Sequence, residues 1–282
     1  MPSLPDMMTP DAAGLAAKAA GGAPTESHID PQLAAPLFEF LLRTGDNTLI
    51  LGHRVSEWCG HSPILEEDIA LANTALDLIG QTQLWLGYAG EIEGKGRSAD
   101  ALAYLRDAAQ FRNVLLVERP NGDFGQTLMR QFLFDAYQHV LLAALQKSTD
   151  PRVAEIAAKA AKEVAYHLER SGDLVIRLGD GSDESHARMQ AALDNVWPYT
   201  GEMFMSVDGD AALAEKGIAP APESLKADWD KIVAEVLAEA TLKAPGKSYQ
   251  HKGGKRGVHT EHLGYILAEM QFLQRAYPGA VW

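Results

Sequence analysis

The sequence predicts an all-α protein, a four-helix bundle with additional C-terminal helices. From residue 36 onward, apolar residues recur at helical spacing, and no segment shows the alternation with β-branched residues that is typical of strands. Clusters of glycine and proline divide this part of the chain into segments, four of which are long. These four segments follow one another as two helical hairpins, which is the arrangement of a four-helix bundle.

The start of several predicted helices is marked by capping residues or charge. Pro36 suits the first turn of the first helix, where its missing N–H is not needed. The acids at 66–68 favour the positive end of the second helix, and Asp150 followed by Pro151 is typical of an N-cap and first turn. The expected helices cover residues 36–59, 65–92, 100–108, 124–147, 151–178, 183–205, 224–242 and 259–277.

The first residues differ in composition from the rest of the chain. Residues 1–32 contain five prolines and no aromatic residue, so they have little apolar surface to offset the entropy lost on ordering. We expect a disordered or loosely ordered extension over residues 1–32 and one helical domain over residues 33–282.

Composition excludes several classes of protein. The 282 residues carry a net charge of -13, whereas a nucleic-acid-binding chain would be basic. Cys59 is the only cysteine, which excludes an internal disulfide and a cysteine zinc cluster. The longest aliphatic run, residues 140–145, is far shorter than the roughly 20 residues of a membrane-spanning helix. No secretory signal precedes the domain, so we expect a cytoplasmic protein that does not enter the membrane.

Each of the four long predicted helices carries one acid within an apolar stripe. These acids are Asp46, Asp77, Asp135 and Glu163. A di-iron carboxylate site in a bundle needs, besides such acids, two Glu-x-x-His pairs. Here the third residue after Asp77 is Gly80 and the third after Glu163 is Tyr166.

Glycine has no ligand atom, and tyrosine is an unusual substitute for imidazole. The pattern therefore favours a degenerate site, formed by these six residues, that binds no metal and leaves the chain without catalytic residues. The alternative is an active di-metal oxidoreductase that uses the four acids.

A basic, glycine-rich segment precedes the last predicted helix. Its positive residues are Lys243, Lys247, Lys252, Lys255 and Arg256, and it contains no acid. A glycine-rich segment with basic side chains, placed before a helix N-terminus, favours anion binding. We therefore identify Lys252, Lys255, Arg256 and His259 as candidate contacts for a phosphate or a partner. A CoA- or phosphate-binding module that uses this loop is one alternative function, and an ordinary solvated loop is the other reading.

Other catalytic patterns are missing from the sequence. It contains neither a Gly-x-Ser-x-Gly elbow nor a Gly-x-Gly-x-x-Gly loop. A lone cysteine on a helix, as Cys59 is expected to be, is usually an inert packing residue.

Several long motifs identify a family. They are LRTGDN at 42–47, EWCGH at 57–61, DIALANTALDLIGQ at 68–81, LLVERPNGDF at 115–124, KEVAYHL at 162–168, GGKRGVHTEHLG at 253–264 and AEMQFLQRAYPG at 268–279. With these motifs the chain closely resembles the structural C subunits of bacterial ring-1,2-phenylacetyl-CoA epoxidases, which are multicomponent monooxygenases. The resemblance covers about residues 36–282.

This resemblance implies a ferritin-like fold and a place in a complex. In the family, the C subunit scaffolds a related catalytic A subunit that holds the di-iron centre, and its own metal site is degenerate. A small B subunit and a reductase with flavin and iron–sulfur groups, which takes electrons from NADPH, complete the complex. The complex epoxidises the aromatic ring of phenylacetyl-CoA. Because the di-iron centre belongs to the A subunit and the other groups belong to the reductase, this chain is expected to contain no cofactor.

The sequence also has apolar residues beyond the expected core. Trp85 and Tyr88, with Met270, Phe272, Leu273 and Tyr277 near the C-terminus, are candidates for a partner surface. The alternative is that these residues line the bundle core, which is the commoner fate of apolar helix faces.

Overall fold

The computed structural model describes residues 30–280, and over that range the predicted all-helical fold is confirmed, with no strand. The α-helices, in chain order, are α1 (Pro31–Ser56), α2 (Leu65–Glu93), α3 (Ala99–Tyr104), α4 (Phe124–Leu145), α5 (Pro151–Gly179), α6 (Asp183–Val196), α7 (Asp210–Glu215), α8 (Lys226–Glu239), α9 (Glu261–Met270) and α10 (Phe272–Ala276). Single 3-10 turns occur at 108–110, 197–199, 201–204, 222–225 and 254–256. Of the expected extension, residues 1–29 lie outside the described range.

The bundle is built from the two predicted hairpins. Helix α1 packs along α2, helix α4 packs along α5, and α2 contacts α5. Helices α6 and α8 cover further sides of α4, which explains why 17 of its 22 residues are buried. Helix α4 is therefore the centre of the core, and polar side chains on it need partners within the protein.

Prolines account for two differences from the predicted boundaries. Helix α1 begins at Pro31 rather than Pro36, since a proline suits the first turn at either position and Pro36 forgoes a single backbone hydrogen bond inside the helix. The helix expected over 183–205 ends at Val196. The chain continues in 3-10 turns, the first of which contains Pro198.

The C-terminal part is more broken than expected. The predicted helix over 259–277 is two helices interrupted at Gln271. The Gln271 side-chain amide donates to the carbonyl oxygens of Ala103 and Arg106, both at 3.0 Å, which ties this break to the segment after α3. Helix α7 is not predicted by the sequence. Within residues 30–280 no helix is both long enough and apolar enough to span a membrane.

Candidate functional site

A band of polar side chains runs through the packed faces of α2, α4 and α5, and we call it the polar seam. It consists of Asp77 and Gln81 on α2, Gln131, Asp135 and Gln138 on α4, and Glu163, His167 and Ser171 on α5. Three of the four acids expected in the degenerate metal site belong to this seam. Hydrogen bonds connect its members mainly between helices.

Asp135 is the most deeply buried acid of the polar seam, with no exposed surface. The Gln131 amide donates to its Oδ1 at 2.7 Å, and the Ser171 hydroxyl donates to its Oδ2 at 2.8 Å. Burial raises the pKa of the Asp135 carboxyl to about 6, although the nearby His167 and the two donors act in the opposite direction. Neutral donors thus hold this acid, and its charge is only partly stabilised.

The outer part of the polar seam reaches the surface. Asp77 Oδ2 lies 2.9 Å from Nε2 of the buried His167. The Gln81 amide donates to Glu163 at 2.9 Å, and its own oxygen accepts from Gln138 at 3.4 Å. Each acid of the polar seam is therefore hydrogen-bonded to a side chain of the protein itself.

Asp46, the fourth expected acid, belongs to a different cluster. Both of its carboxylate oxygens accept from the guanidinium of Arg106, and Oδ2 also accepts from the Arg112 backbone N–H at 2.8 Å. The Arg106 guanidinium lies over the ring of Phe111, 4.3 Å from its centroid. Asp46 thus fixes the segment after α3 to the bundle by a buried ion pair.

The two positions expected to replace metal-binding histidines do not face the core. Gly80 is exposed, and a Cβ built on it would meet no atom within 4 Å. Tyr166 has 58% of its surface exposed. The expected inward face of α2 is therefore wrong at Gly80, because the buried side of this helix runs through Leu78, Gln81 and Trp85.

These residues do not fit a di-iron centre. Two candidate ligand positions lie at the surface, and Asp46 is fully engaged by Arg106. Within residues 30–280, no group of three or more His, Cys, Asp and Glu side chains is arranged to hold a metal ion. That the chain binds no metal remains a prediction.

Of the basic residues in the segment before α9, only Lys255 is turned inward, whereas the other four are exposed. Lys255 is buried, and its ammonium donates to the carbonyl oxygens of Met203 and Met205, both at 2.9 Å. Burial lowers the pKa of Lys255 to about 8. This geometry argues against Lys255 as a contact for an external phosphate, while Lys252 and Arg256 are exposed and remain candidates.

His259 is also used internally. Its Nδ1 lies 2.8 Å from a carboxylate oxygen of Glu118, and its Nε2 lies 3.0 Å from the Phe111 carbonyl oxygen. Burial acts to lower the pKa of His259, but the Glu118 carboxylate, the Phe111 carbonyl and the charge of Asp46 together outweigh it, so the pKa is raised. The other Glu118 oxygen accepts from the Thr260 backbone N–H at 2.6 Å, so this acid anchors the start of α9.

The backbone of the basic segment binds an anion that the protein itself supplies. Glu202 is buried and accepts from the N–H groups of Gly253, at 2.7 Å, and Leu115, at 2.8 Å. A Cβ on Gly254 would lie 2.1 Å from the Asn113 carbonyl oxygen, so glycine is required for this close approach. Sequence reasoning missed Glu202, which has no local signal. Glu118 had one, since it directly follows the apolar run at 115–117.

Comparison with known proteins identifies the family. The model of the family described as "Phenylacetic acid catabolic protein" matches residues 7–282. The chain belongs to this family. A relative from Escherichia coli (strain K12), the C subunit of 1,2-phenylacetyl-CoA epoxidase, is 49% identical over 246 residues, which cover 87% of this chain and 99% of the relative. The resemblance seen in the sequence motifs is thereby confirmed, and the match begins upstream of those motifs.

Within residues 30–280, we name two sets of exposed apolar residues. The α2 face consists of Leu65, Ile69, Leu76 and Ile79 on α2. The terminal face consists of Tyr265, Phe272, Leu273 and Tyr277. Three residues expected at a partner surface, Phe272, Leu273 and Tyr277, are therefore exposed. Trp85 and Tyr88 are buried, so for them the partner-surface expectation is wrong and the core alternative is correct.

Proposed function

We propose that this chain is the non-catalytic structural subunit of a phenylacetyl-CoA epoxidase complex in aerobic phenylacetate breakdown. Its main partner is a catalytic A subunit that holds the di-iron centre. A B subunit and an NADPH-dependent reductase with flavin and iron–sulfur groups complete the complex. The observation that carries the proposal is the 49% identity to the Escherichia coli protein along nearly the whole of that relative.

The four acids expected in the metal site support a structural role. A working carboxylate site keeps its ligand atoms available to the metal, whereas here Asp46 is neutralised by Arg106 and Asp77 is bonded to His167. Hydrogen bonds within the protein satisfy buried acids at the place where a bundle of this type would hold metal. The acids of the bundle therefore need no metal ion for their stabilisation.

The α2 face supports a stable partner. Leu65, Ile69 and Leu76 are each more than half exposed on one side of a long, regular helix. Exposed aliphatic residues repeated along one side of a helix mark an interaction surface, because a monomer gains by burying them. Gly80 lies on the same helix and leaves open space for close approach of a partner helix. We propose that this face is covered by the A subunit.

Co-expression with the A subunit tests the partner and the face together. Leu76→Glu places a charge in the α2 face and should weaken A-subunit binding by about 30-fold or more, since a central interface residue contributes about 2 kcal/mol or more. Leu105→Glu is the matched control for the α2 face, because Leu105 is also exposed but does not lie on α2. Leu273→Glu tests the terminal face in the same way.

Affinity is measured by co-purification and by titration of the separated subunits. If Leu76→Glu binds like the parent chain while Leu273→Glu does not, the partner covers the terminal face instead. If the parent chain itself does not bind the A subunit, the proposed function is wrong. Metal analysis of the chain purified alone gives a second test, since about two irons per chain would support the di-metal alternative.

A further inference from the structure

A small cavity lies between the N-terminal half of α1, the middle of α4 and the buried Lys255. Its volume is about 30 Å³, which is enough for at least one water-sized molecule. Arg43 and Asn47 of α1, Tyr137 of α4, Asp210 and Lys255 are among its lining residues. All five side chains belong to buried residues.

Lys255 has no carboxylate partner in the described part of the chain. Its ammonium uses two of its three N–H groups on the Met203 and Met205 carbonyls. Of the nearby acids, Asp210 is paired with Arg43 and also accepts from the Val207 N–H at 2.9 Å. Glu202 accepts from backbone N–H groups, including that of Lys255 at 3.3 Å. This ammonium therefore has no carboxylate at hydrogen-bond distance among the described residues, which is unusual because buried charges are normally paired.

Several donor groups in the cavity lining have no acceptor within the described part of the chain. Arg43 bonds to Asp210 through Nη2, while its Nε and Nη1 have no acceptor among residues 30–280. The Asn47 oxygen accepts from the Val114 N–H at 2.8 Å, but the Asn47 amide nitrogen has no acceptor in that range. The Tyr137 hydroxyl likewise has no partner in the described structure. None of these atoms is among the described polar atoms that are both fully buried and without a hydrogen-bond partner. Each of them therefore keeps some accessible surface.

We infer that this cavity binds one small monovalent anion of about the size of chloride. A water molecule accepts only about two hydrogen bonds and must also place its own protons, whereas a halide ion accepts several and donates none. Arg43, Asn47, Tyr137 and Lys255 each bring a free donor to the cavity lining, and the two cations outnumber the single carboxylate of Asp210, so this lining suits a halide better than water. The anion also supplies the counter-ion that Lys255 lacks.

The protonation state of Lys255 is consistent with this site. Burial lowers the pKa of its ammonium to about 8, so the side chain is still mostly charged at neutral pH. Arg43 opposes the charged form, whereas Asp210, Glu202 and Glu223 favour it. An anion in the cavity would add to the stabilising charges.

Bromide provides a direct probe of the site. Crystals of the full chain grown in sodium bromide should show an anomalous peak within hydrogen-bond distance of Lys255 Nζ and the Tyr137 hydroxyl. Bromide peaks at the protein surface with none in this cavity would overturn the inference.

Thermal unfolding gives an independent test in solution. At constant ionic strength, replacing gluconate by chloride should raise the Tm of the parent chain in a saturable manner. Lys255→Met should lose this response, and Tyr137→Phe should raise the half-saturating chloride concentration about tenfold, since it removes one hydrogen bond to a charged group. Lys252→Met, an exposed lysine of the same segment, should respond like the parent.

An equal chloride response in all four proteins would contradict the inference. If Lys255→Met does not fold, Tyr137→Phe decides the solution test, because it removes only a hydroxyl group. These outcomes do not depend on whether the chain binds an A subunit, so they can fail while the proposed function holds.

Discussion

Asp46 and Asp135 are two fully buried acids on neighbouring parts of the bundle, and they are stabilised in opposite ways. Asp46 meets a full positive charge, the Arg106 guanidinium, through both of its oxygens. Asp135 meets only the neutral donors of Gln131 and Ser171 at hydrogen-bond distance. The two acids occupy equivalent-looking positions in apolar stripes of the sequence, so the comparison shows that burial alone does not define how a carboxylate contributes to stability.

Removal of Asp46 should have the largest effect. Asp46→Ala leaves Arg106 buried without its counter-ion, which we expect to lower the free energy of unfolding by about 3–5 kcal/mol. Asp173→Ala is the control, because Asp173 forms an exposed ion pair with Arg177 and such pairs contribute at most about 1 kcal/mol. Denaturant titration measures both variants. Similar small losses would mean that the Asp46–Arg106 pair adds little to stability.

The partner of Asp46 shows why the sequence predicts the fold better than the site. Apolar spacing is sufficient to predict the four long helices. Arg106, however, lies 60 residues from Asp46 in a segment without a long helix, and no spacing rule connects the two. The sequence pattern placed Asp46 in a degenerate metal site with the other three acids, whereas in the structure it forms a separate ion pair with Arg106.

The orientation of α2 was unpredictable for a different reason. Apolar residues occur on both of its sides, with Leu71 and Leu78 buried and Leu76 and Ile79 exposed. The periodicity therefore predicts a helix but not which side faces the core. Helix α4 does not have this ambiguity, because 17 of its 22 residues are buried, among them Arg130, Gln131, Asp135 and Gln138.

A pH titration should distinguish Asp135 from Asp46 with an intermediate effect. The folded-state pKa of Asp135 is about 6, above its ordinary value of 3.8, so the folded protein takes up this proton first as pH falls. Stability from this group is therefore present at low pH and lost as pH rises through about 6. Relative to Asp135→Asn, the parent chain should gain on the order of 1 kcal/mol between pH 8 and pH 5.

Urea unfolding at several pH values, for the parent chain and Asp135→Asn, measures this difference. Parallel stability curves would show that Asp135 ionises normally and that its neutral donors are sufficient to hold the charge. Asp135→Ala should also lower the Tm, since it leaves the donors of Gln131 and Ser171 without their acceptor.

Gly80→Ala should have the smallest effect on stability, and it tests whether position 80 belongs to the polar seam. If Gly80 faces solvent, as the open space around it indicates, Gly80→Ala should stabilise the isolated chain by about 0.5–1 kcal/mol, because alanine favours a helix more than glycine does. Gly45→Ala is the contrasting variant, since its Cβ would lie 2.6 Å from Leu86 Cδ2 and should destabilise the α1–α2 contact.

A loss of stability in Gly80→Ala would place this position inside the polar seam, next to Asp77, and would return it to the metal-ligand position expected from the sequence. If Gly80→Ala is instead more stable alone but binds the A subunit less tightly, the glycine serves the α2 face, where a partner helix needs the space that a methyl group would fill.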